Sequence, residues 1–173
     1  MLSLILEYRS EFQFVAGLLI CTAALVWGGG PERAIGLVWL LMVEALDMSY
    51  HALFDATFTL TATDAFHASL DIGLSAAFVT IAIQANRTYC LWIAALQLVA
   101  TTAHFAREIA TMMTPIAYAI LAIGPSYFQI LVLAIGLIFH IRRKKTWGSY
   151  RDWRIGAKFL ASSIFNRLDW SRK

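Results

Sequence analysis

Charged residues are scarce in this sequence. Asp, Glu, Lys and Arg make up only 14% of its 173 residues, whereas soluble domains carry about 25%. Apolar residues make up 60%, and the mean hydropathy is +0.66. So few charges cannot cover the surface of a soluble domain of this length. Apolar runs such as residues 14–27 and 128–141 are typical of membrane helices, and we predict an all-α, polytopic transmembrane helix bundle.

Cysteine is almost absent as well. Cys21 and Cys90 both lie in apolar runs, which excludes a disulfide framework and a CxxC redox pair. We expect both to pack as small apolar side chains. The sequence also lacks a GxSxG turn, a phosphate-binding loop and a dinucleotide fingerprint. Common motifs therefore leave open whether the chain is an enzyme.

Positive charge is missing from most of the chain. Residues 142–173 hold ten Lys and Arg against two Asp, whereas residues 1–141 hold four basic and nine acidic residues. A basic segment after an apolar run indicates a cytoplasmic segment near anionic headgroups. No basic folded module suggests nucleic acid as a partner. We predict a transmembrane bundle over residues 1–142 and a basic cytoplasmic tail over residues 143–173.

Five membrane helices fit the apolar pattern, since each needs about 20 residues to cross the hydrocarbon. The predicted helices cover residues 11–28, 32–55, 66–85, 88–107 and 116–142. The last is expected to kink at Gly124-Pro125, and two half-spans there would give six. With five, the N-terminus lies outside, the tail lies in the cytoplasm, and loop 55–66, which has no Lys or Arg, lies outside. We expect a bacterial inner-membrane protein.

The tail is predicted to form an amphipathic helix over residues 150–170. Its apolar residues recur at helical spacing: Trp153, Ala157, Leu160, Ile164 and Leu168. Such a helix lies on a membrane surface. The residues expected to contact anionic headgroups there are Arg142, Arg143, Lys144, Lys145 and Trp153. Docking to a partner protein is the alternative role.

Three of the four histidines begin the same short pattern. Each precedes an acid by four residues, in HALFD at 51–55, HASLD at 67–71 and HFARE at 104–108. The five-helix topology places all three pairs at the outer membrane face. The helix over 32–55 also carries Glu44 and Asp47, which at α-helical spacing share a stripe of about 80° with His51 and Asp55. Ionisable groups within a span normally face the bundle interior and mark function.

Histidine and carboxylate together suit a transition metal such as Zn, Fe, Cu or Mn. The predicted ligands are Asp47, His51, His67 and His104. The residues predicted to orient the imidazoles or relay protons are Glu44, Asp55, Asp71 and Glu108. Such a site would support redox or hydrolytic chemistry on a lipid-soluble substrate, or metal handling.

Other functions are consistent with the same residues. Each His–acid pair could be a local hydrogen bond at a helix end. The chain could then be a non-catalytic accessory or assembly subunit of a larger membrane complex, or a homo-oligomer. Glu44 and Asp47 could instead carry protons or cations across the membrane. His51 and His104 could be the axial ligands of a b-type haem.

Overall fold

The computed structural model describes residues 2–54, 65–110 and 113–154. Every regular element in these ranges is helical, as predicted. The elements are α1 (Leu2–Trp27), α2 (Gly30–Trp39), a π-helix (Leu40–Leu46), α3 (Asp47–Phe54), α4 (Ala65–Gln84), α5 (Tyr89–Ile109) and α6 (Pro115–Trp147). Because α2, the π-helix and α3 follow one another without a break, the described residues form five continuous helical segments.

Three of these helices are long and apolar enough to cross a membrane. They are α4, α5 and the Ile116–Trp147 part of α6, while Glu11–Trp27 of α1 is apolar but shorter. Large apolar side chains also face outwards, such as Leu53, Ile109 and Ile116, which are 78%, 84% and 73% exposed. Lipid would cover these side chains, so the surface is compatible with a membrane protein. The number of crossings and their orientation stay predictions.

The turn between α1 and α2 has the features of a helix start. Gly29 is extended, Pro31 occupies the first turn of α2, and Glu32 follows it at the positive end of the helix. A Cβ atom on Gly36 would lie 3.0 Å from the Cys21 carbonyl oxygen. The two helices therefore approach each other closely enough for backbone contact.

The core lies where all five helical segments meet. Its central side chains include Cys21, Trp39, Phe78, Ile93 and Leu133, none of which is more than 2% exposed. Cys21 and Cys90 are both free and buried. The prediction that the cysteines pack as apolar side chains is confirmed.

Helix α6 is a single unbroken helix of 33 residues, about 50 Å long at 1.5 Å per residue. Pro125 lies inside it without ending it, so the described residues contain no pair of half-spans. The helix continues five residues beyond the predicted end at 142. Lys144 and Lys145 lie in its last turn, where positive side chains stabilise the negative end of the helix dipole.

After α6 the chain folds back across one end of the bundle. Gly148 turns it with a φ of 73°, and we call residues 148–154 the strap. Its Asp152 carbonyl accepts from the Asn86 N–H at 3.0 Å, and its Arg154 N–H donates to the Gln84 carbonyl at 2.7 Å. We refer to this end as the strap end and to the opposite end, where α4 begins, as the cavity end.

The strap changes the prediction for the tail. Residues 150–154 are not helical, because their backbone pairs with the α4–α5 connection. The amphipathic helix therefore does not begin at residue 150, and its remaining part, 155–170, lies outside the described residues. Trp153 is partly buried against the core, and its ring lies against Gly30.

Candidate functional site

A cavity of about 710 Å³ lies between the helices at the cavity end. We call it the carboxylate cavity, since its acidic lining residues are Glu11, Glu44, Asp47 and Asp71. His67 and His104 line it too, and no Lys or Arg is among the described residues of its wall. Its apolar wall includes Phe14, Val15, Trp39, Val43, Leu70 and Ile123. The cavity is therefore an apolar space with an excess of acidic groups.

The first contact between helices on this wall joins α3 to α4. Asp47 is the first residue of α3, and its Oδ1 lies 2.9 Å from Nε2 of His67, near the start of α4. The Tyr50 and Phe66 rings stack at 3.7 Å beside the pair. This stacking holds the two helix ends together and thereby fixes the carboxylate against the imidazole.

The second contact joins α4 to α5 and extends to α6. Asp71 Oδ2 lies 2.9 Å from His104 Nε2, and Asp71 Oδ1 accepts from Gln97 Nε2 at 2.9 Å. The hydroxyl of Tyr118 lies 2.9 Å from His104 Nδ1. Gln129 donates to Gln97 at 2.7 Å. These five side chains form a hydrogen-bonded network across three helices, in which both nitrogens of His104 are engaged.

Glu44 differs from Asp47 and Asp71 in its bonding. It is half-buried, lines the cavity, and makes no hydrogen bond or ion pair with the part of the chain that the structure describes. It lies in the π-helix, whose wider turns interrupt the α-helical spacing and are frequent at functional sites. A Cβ atom on Gly17 would lie 3.0 Å from Glu44 Oε1 and 2.7 Å from Trp39 Cη2. The carboxylate and the indole therefore adjoin the same glycine.

Trp39 carries a second unpaired polar group at this cavity. Its side chain is only 2% exposed, and its indole N–H finds no acceptor among the described residues. Buried donors normally have a partner. The cavity wall therefore contains a buried donor and a carboxylate that both have no partner among the described residues.

The three His–acid patterns do not act as pairs within one helix where both members are described. In HASLD, His67 contacts Asp47 and Asp71 contacts His104, so each residue bonds to a neighbouring helix. In HFARE, Glu108 is exposed and does not line the cavity. For HALFD, the side chain of His51 and all of Asp55 lie outside the described residues.

The predicted metal ligands come together only in part. Asp47, His67 and His104 line one cavity, but no three His, Cys, Asp or Glu side chains among the described residues are placed to hold one ion. His104 does not fit a metal or haem ligand in this arrangement, because Asp71 and Tyr118 occupy both of its nitrogens. With His51 not described, the metal site stays a prediction.

Several cavity residues were missed by the sequence analysis. Gln97 and Gln129 connect α5 to α6, Tyr118 holds His104, and Trp39 adjoins Glu44. The two glutamines carried a usable signal. An amide within an apolar helix is expected to bond across a helix interface, and both stand in runs that are otherwise apolar.

A second polar cluster lies at the strap end, and we call it the strap cluster. Its members are Glu32, Arg87, His140, Tyr150 and Asp152. Arg87 Nη2 lies 2.6 Å from Asp152 Oδ1, and Arg87 Nε lies 3.6 Å from Glu32 Oε1. The Tyr150 hydroxyl lies 2.7 Å from His140 Nδ1. Arg87 also lies 4.3 Å above the Tyr150 ring. The cluster joins α2, the α4–α5 connection, α6 and the strap.

The strap cluster is buried but incompletely bonded. Glu32, Arg87 and His140 are 0%, 5% and 5% exposed. Glu32 Oε2, Arg87 Nε and His140 Nε2 have no hydrogen-bond partner among the described residues. Burial also raises the pKa of the Tyr150 hydroxyl above its ordinary value, so Tyr150 stays neutral. The sequence analysis treated none of these residues as one site.

The four basic residues predicted to lie at the membrane surface are in the last two turns of α6. Arg142, Arg143, Lys144 and Lys145 are all exposed, and Arg143 lies 5.3 Å above the Tyr150 ring. Their contact with lipid headgroups stays a prediction.

Comparison of the chain with protein-family models, with curated proteins and with solved structures found no match. The indications of function are therefore the carboxylate cavity and the strap cluster.

Proposed function

We propose that the chain binds a lipid-soluble organic cation of the protonated-amine class in the carboxylate cavity and exchanges it for protons within the membrane. The observation that supports this most is the Glu44 carboxylate, which lies in the wall of a largely apolar cavity and has no partner among the described residues. Acidic side chains within membrane helices typically mark ion or substrate pathways.

The charge of the wall favours a cation. Four acidic residues line the cavity and no Lys or Arg offsets them among the described lining residues. Asp47 and Asp71 are each held by an imidazole, whereas the part of the chain that the structure describes gives Glu44 no such partner. A cationic ligand would give Glu44 the opposite charge that it lacks, and the interaction is stronger in a partly dehydrated site than in water.

The size and chemistry of the wall favour an organic ligand. A volume of about 710 Å³ lies in the range of small-molecule pockets, roughly 300–1,000 Å³. Trp39 and Phe14 add aromatic surface, which attracts organic cations through the ring faces.

Proton exchange follows from the use of a single carboxylate. Glu44 can hold a proton or attract the ammonium group, and binding of one opposes binding of the other. The imidazoles of His67 and His104 keep Asp47 and Asp71 oriented along the same wall. The site therefore resembles an exchange site in which the charge on Glu44 sets occupancy.

We further propose that the cavity end faces outwards and the strap end faces the cytoplasm. The positive residues that end α6 support this orientation through the positive-inside rule. A ligand entering from the outer half of the bilayer would then meet the carboxylate cavity first.

The test compares two matched ligands and two matched variants. Detergent-purified protein is titrated with 4-phenylbutylamine and with the neutral 4-phenylbutanol by isothermal calorimetry. We expect the amine alone to bind. Glu44→Gln should weaken it about thirtyfold or more, because loss of one partner of a buried charge pair costs about 2–5 kcal/mol. Glu108→Gln, which changes an exposed acid outside the cavity, should leave the affinity unchanged.

Proton release is measured in the same titrations with buffers of different ionisation enthalpy, and it should disappear in Glu44→Gln. Equal binding of the alcohol, or an unchanged affinity in Glu44→Gln, would contradict the proposal. The metal content of the sample is measured first. A stoichiometric transition metal that is lost in His67→Ala would support the metal site predicted at Asp47 and His67 instead.

A further inference from the structure

A groove of about 380 Å³ runs along the outside of the bundle at the strap end, between α5 and α6. We call it the strap groove. It is separate from the carboxylate cavity, shares no lining residue with it, and differs from it in charge. Arg87 and Arg143 line it, and no acidic side chain does so among the described residues.

The two ends of the strap groove differ in chemistry. The end near the strap is polar and is formed by Asn86, Arg87, Thr88, His140, Arg143 and Tyr150. The other end is apolar, and on α6 its residues are Val132, Ile135 and Phe139. These are spaced three and four residues apart and lead directly to Arg143, so they lie on one face of the helix. A charged head next to an apolar stripe is the pattern that an amphiphile requires.

The apolar end of the groove opens towards the surroundings of the bundle. Trp92 and Phe139 are 68% and 56% exposed, although both are large and apolar. They belong to helices long and apolar enough to cross a membrane. An acyl chain of the surrounding bilayer would cover these side chains without entering the core.

The polar end of the groove contains a histidine whose Nε2 has no hydrogen-bond partner among the described residues. This residue is His140, which lines the groove and is 5% exposed. Its Nδ1 is held by Tyr150 at 2.7 Å. Arg87 and Arg143 lie above the ring of the same Tyr150 at 4.3 Å and 5.3 Å. One tyrosine thus positions two guanidinium groups and one imidazole around the mouth of the groove.

From these observations we propose that the strap groove binds an anionic phospholipid, with its phosphate at the exposed Arg143, beside the buried Arg87 and His140, and one acyl chain along Val132, Ile135 and Phe139. Guanidinium groups bind phosphate oxygens through charge-assisted hydrogen bonds. The apolar stripe distinguishes this ligand from a soluble phosphate, which would contact only the polar end. The site does not depend on the function proposed for the carboxylate cavity.

Native mass spectrometry of the detergent-purified full chain tests this directly. The protein is titrated with dioleoylphosphatidylglycerol and, separately, with dioleoylphosphatidylcholine. We expect one phosphatidylglycerol to be retained in preference to phosphatidylcholine. Arg143→Gln should weaken that binding about tenfold, the loss expected for one charge-assisted contact. The matched control is Arg142→Gln, which removes an adjacent exposed arginine that does not line the groove.

A second pair of variants tests the acyl part of the site. Trp92→Ala should weaken phosphatidylglycerol binding about threefold, because its ring lines the apolar end. Trp147→Ala, which removes an exposed tryptophan outside the groove, should not. The proposal is overturned if Arg142→Gln and Arg143→Gln have equal effects, since the basic cluster would then attract lipid without a specific site. It is also overturned if inorganic phosphate displaces the lipid, which would indicate a soluble anion, or if both lipids bind equally.

Discussion

His104 and His140 lie at opposite ends of the bundle and have nearly the same surroundings. Each is 5% exposed, and a tyrosine hydroxyl holds each Nδ1, at 2.9 Å from Tyr118 and at 2.7 Å from Tyr150. They differ at the other nitrogen. His104 Nε2 bonds to Asp71 at 2.9 Å, whereas His140 Nε2 has no partner among the described residues.

The two ends therefore differ in which of their polar side chains have no partner among the described residues. At the cavity end the imidazoles of His67 and His104 are engaged by aspartates, and the half-buried carboxylate of Glu44 in the same wall has no partner among the described residues. At the strap end the acids Glu32 and Asp152 are engaged by Arg87, and the imidazole of His140 is left with an open nitrogen. The two ends are therefore suited to ligands of opposite charge.

The largest effect should come from removing the cation of the strap cluster. Arg87→Gln leaves Glu32, which is 0% exposed, without its opposite charge, and we expect the free energy of unfolding to fall by about 3–5 kcal/mol. The control is Arg33→Gln, which removes an exposed arginine of α2. It should change the free energy of unfolding by less than about 0.5 kcal/mol. Denaturant unfolding in detergent measures both. Equal effects would mean that the strap cluster does not stabilise the fold.

A smaller effect is expected from filling space beside the carboxylate cavity. In Gly17→Ala the new methyl group would lie 2.7 Å from Trp39 Cη2, so the indole must move from its place next to Glu44. We expect a loss of about 1–3 kcal/mol in stability and weaker binding of 4-phenylbutylamine in calorimetry. Gly124→Ala is the matched control, because nothing lies within 4 Å of its Cβ position. Unchanged amine binding in Gly17→Ala would mean that Trp39 does not take part in the proposed amine site.

The smallest expected effect is on stability, in two variants that each remove the tyrosine hydroxyl bonded to one of the two histidines. Tyr118→Phe leaves the buried Nδ1 of His104 unpaired and should lower the free energy of unfolding by about 1–2 kcal/mol. Tyr150→Phe should lower it by less than about 1 kcal/mol, because Tyr150 is only partly buried and water can replace its hydroxyl. Thermal unfolding measures both variants. A larger loss of stability in Tyr150→Phe than in Tyr118→Phe would contradict the view that the histidine at the cavity end is the more completely bonded of the two.

The sequence was informative wherever a pattern depends on near neighbours. The apolar runs predicted helix positions to within about five residues for four of the five segments, and the location of both cysteines in such runs predicted that they are free and buried. Helix α1 began earlier than predicted, at Leu2 instead of residue 11. The scarcity of charge was sufficient to indicate a membrane protein.

The pairing of the ionisable residues could not be predicted in the same way. The spacing of His67 and Asp71 shows that they share a helix face, but their partners, Asp47 and His104, depend on how three helices rotate and pack. The π-helix at Leu40–Leu46 altered the assumed spacing around Glu44. The strap also departs from its local pattern, because backbone bonds to the α4–α5 connection outweigh the helical periodicity of residues 150–154.

The strap also gives the molecule a mechanical connection. Its two backbone bonds, to Gln84 and Asn86, form a short clamp on the α4–α5 connection, and Asp152 ties the same clamp to Arg87 and to the Gly30 N–H. A force applied to the chain after residue 154 is therefore transmitted to the start of α2 and to the buried guanidinium before it reaches α6.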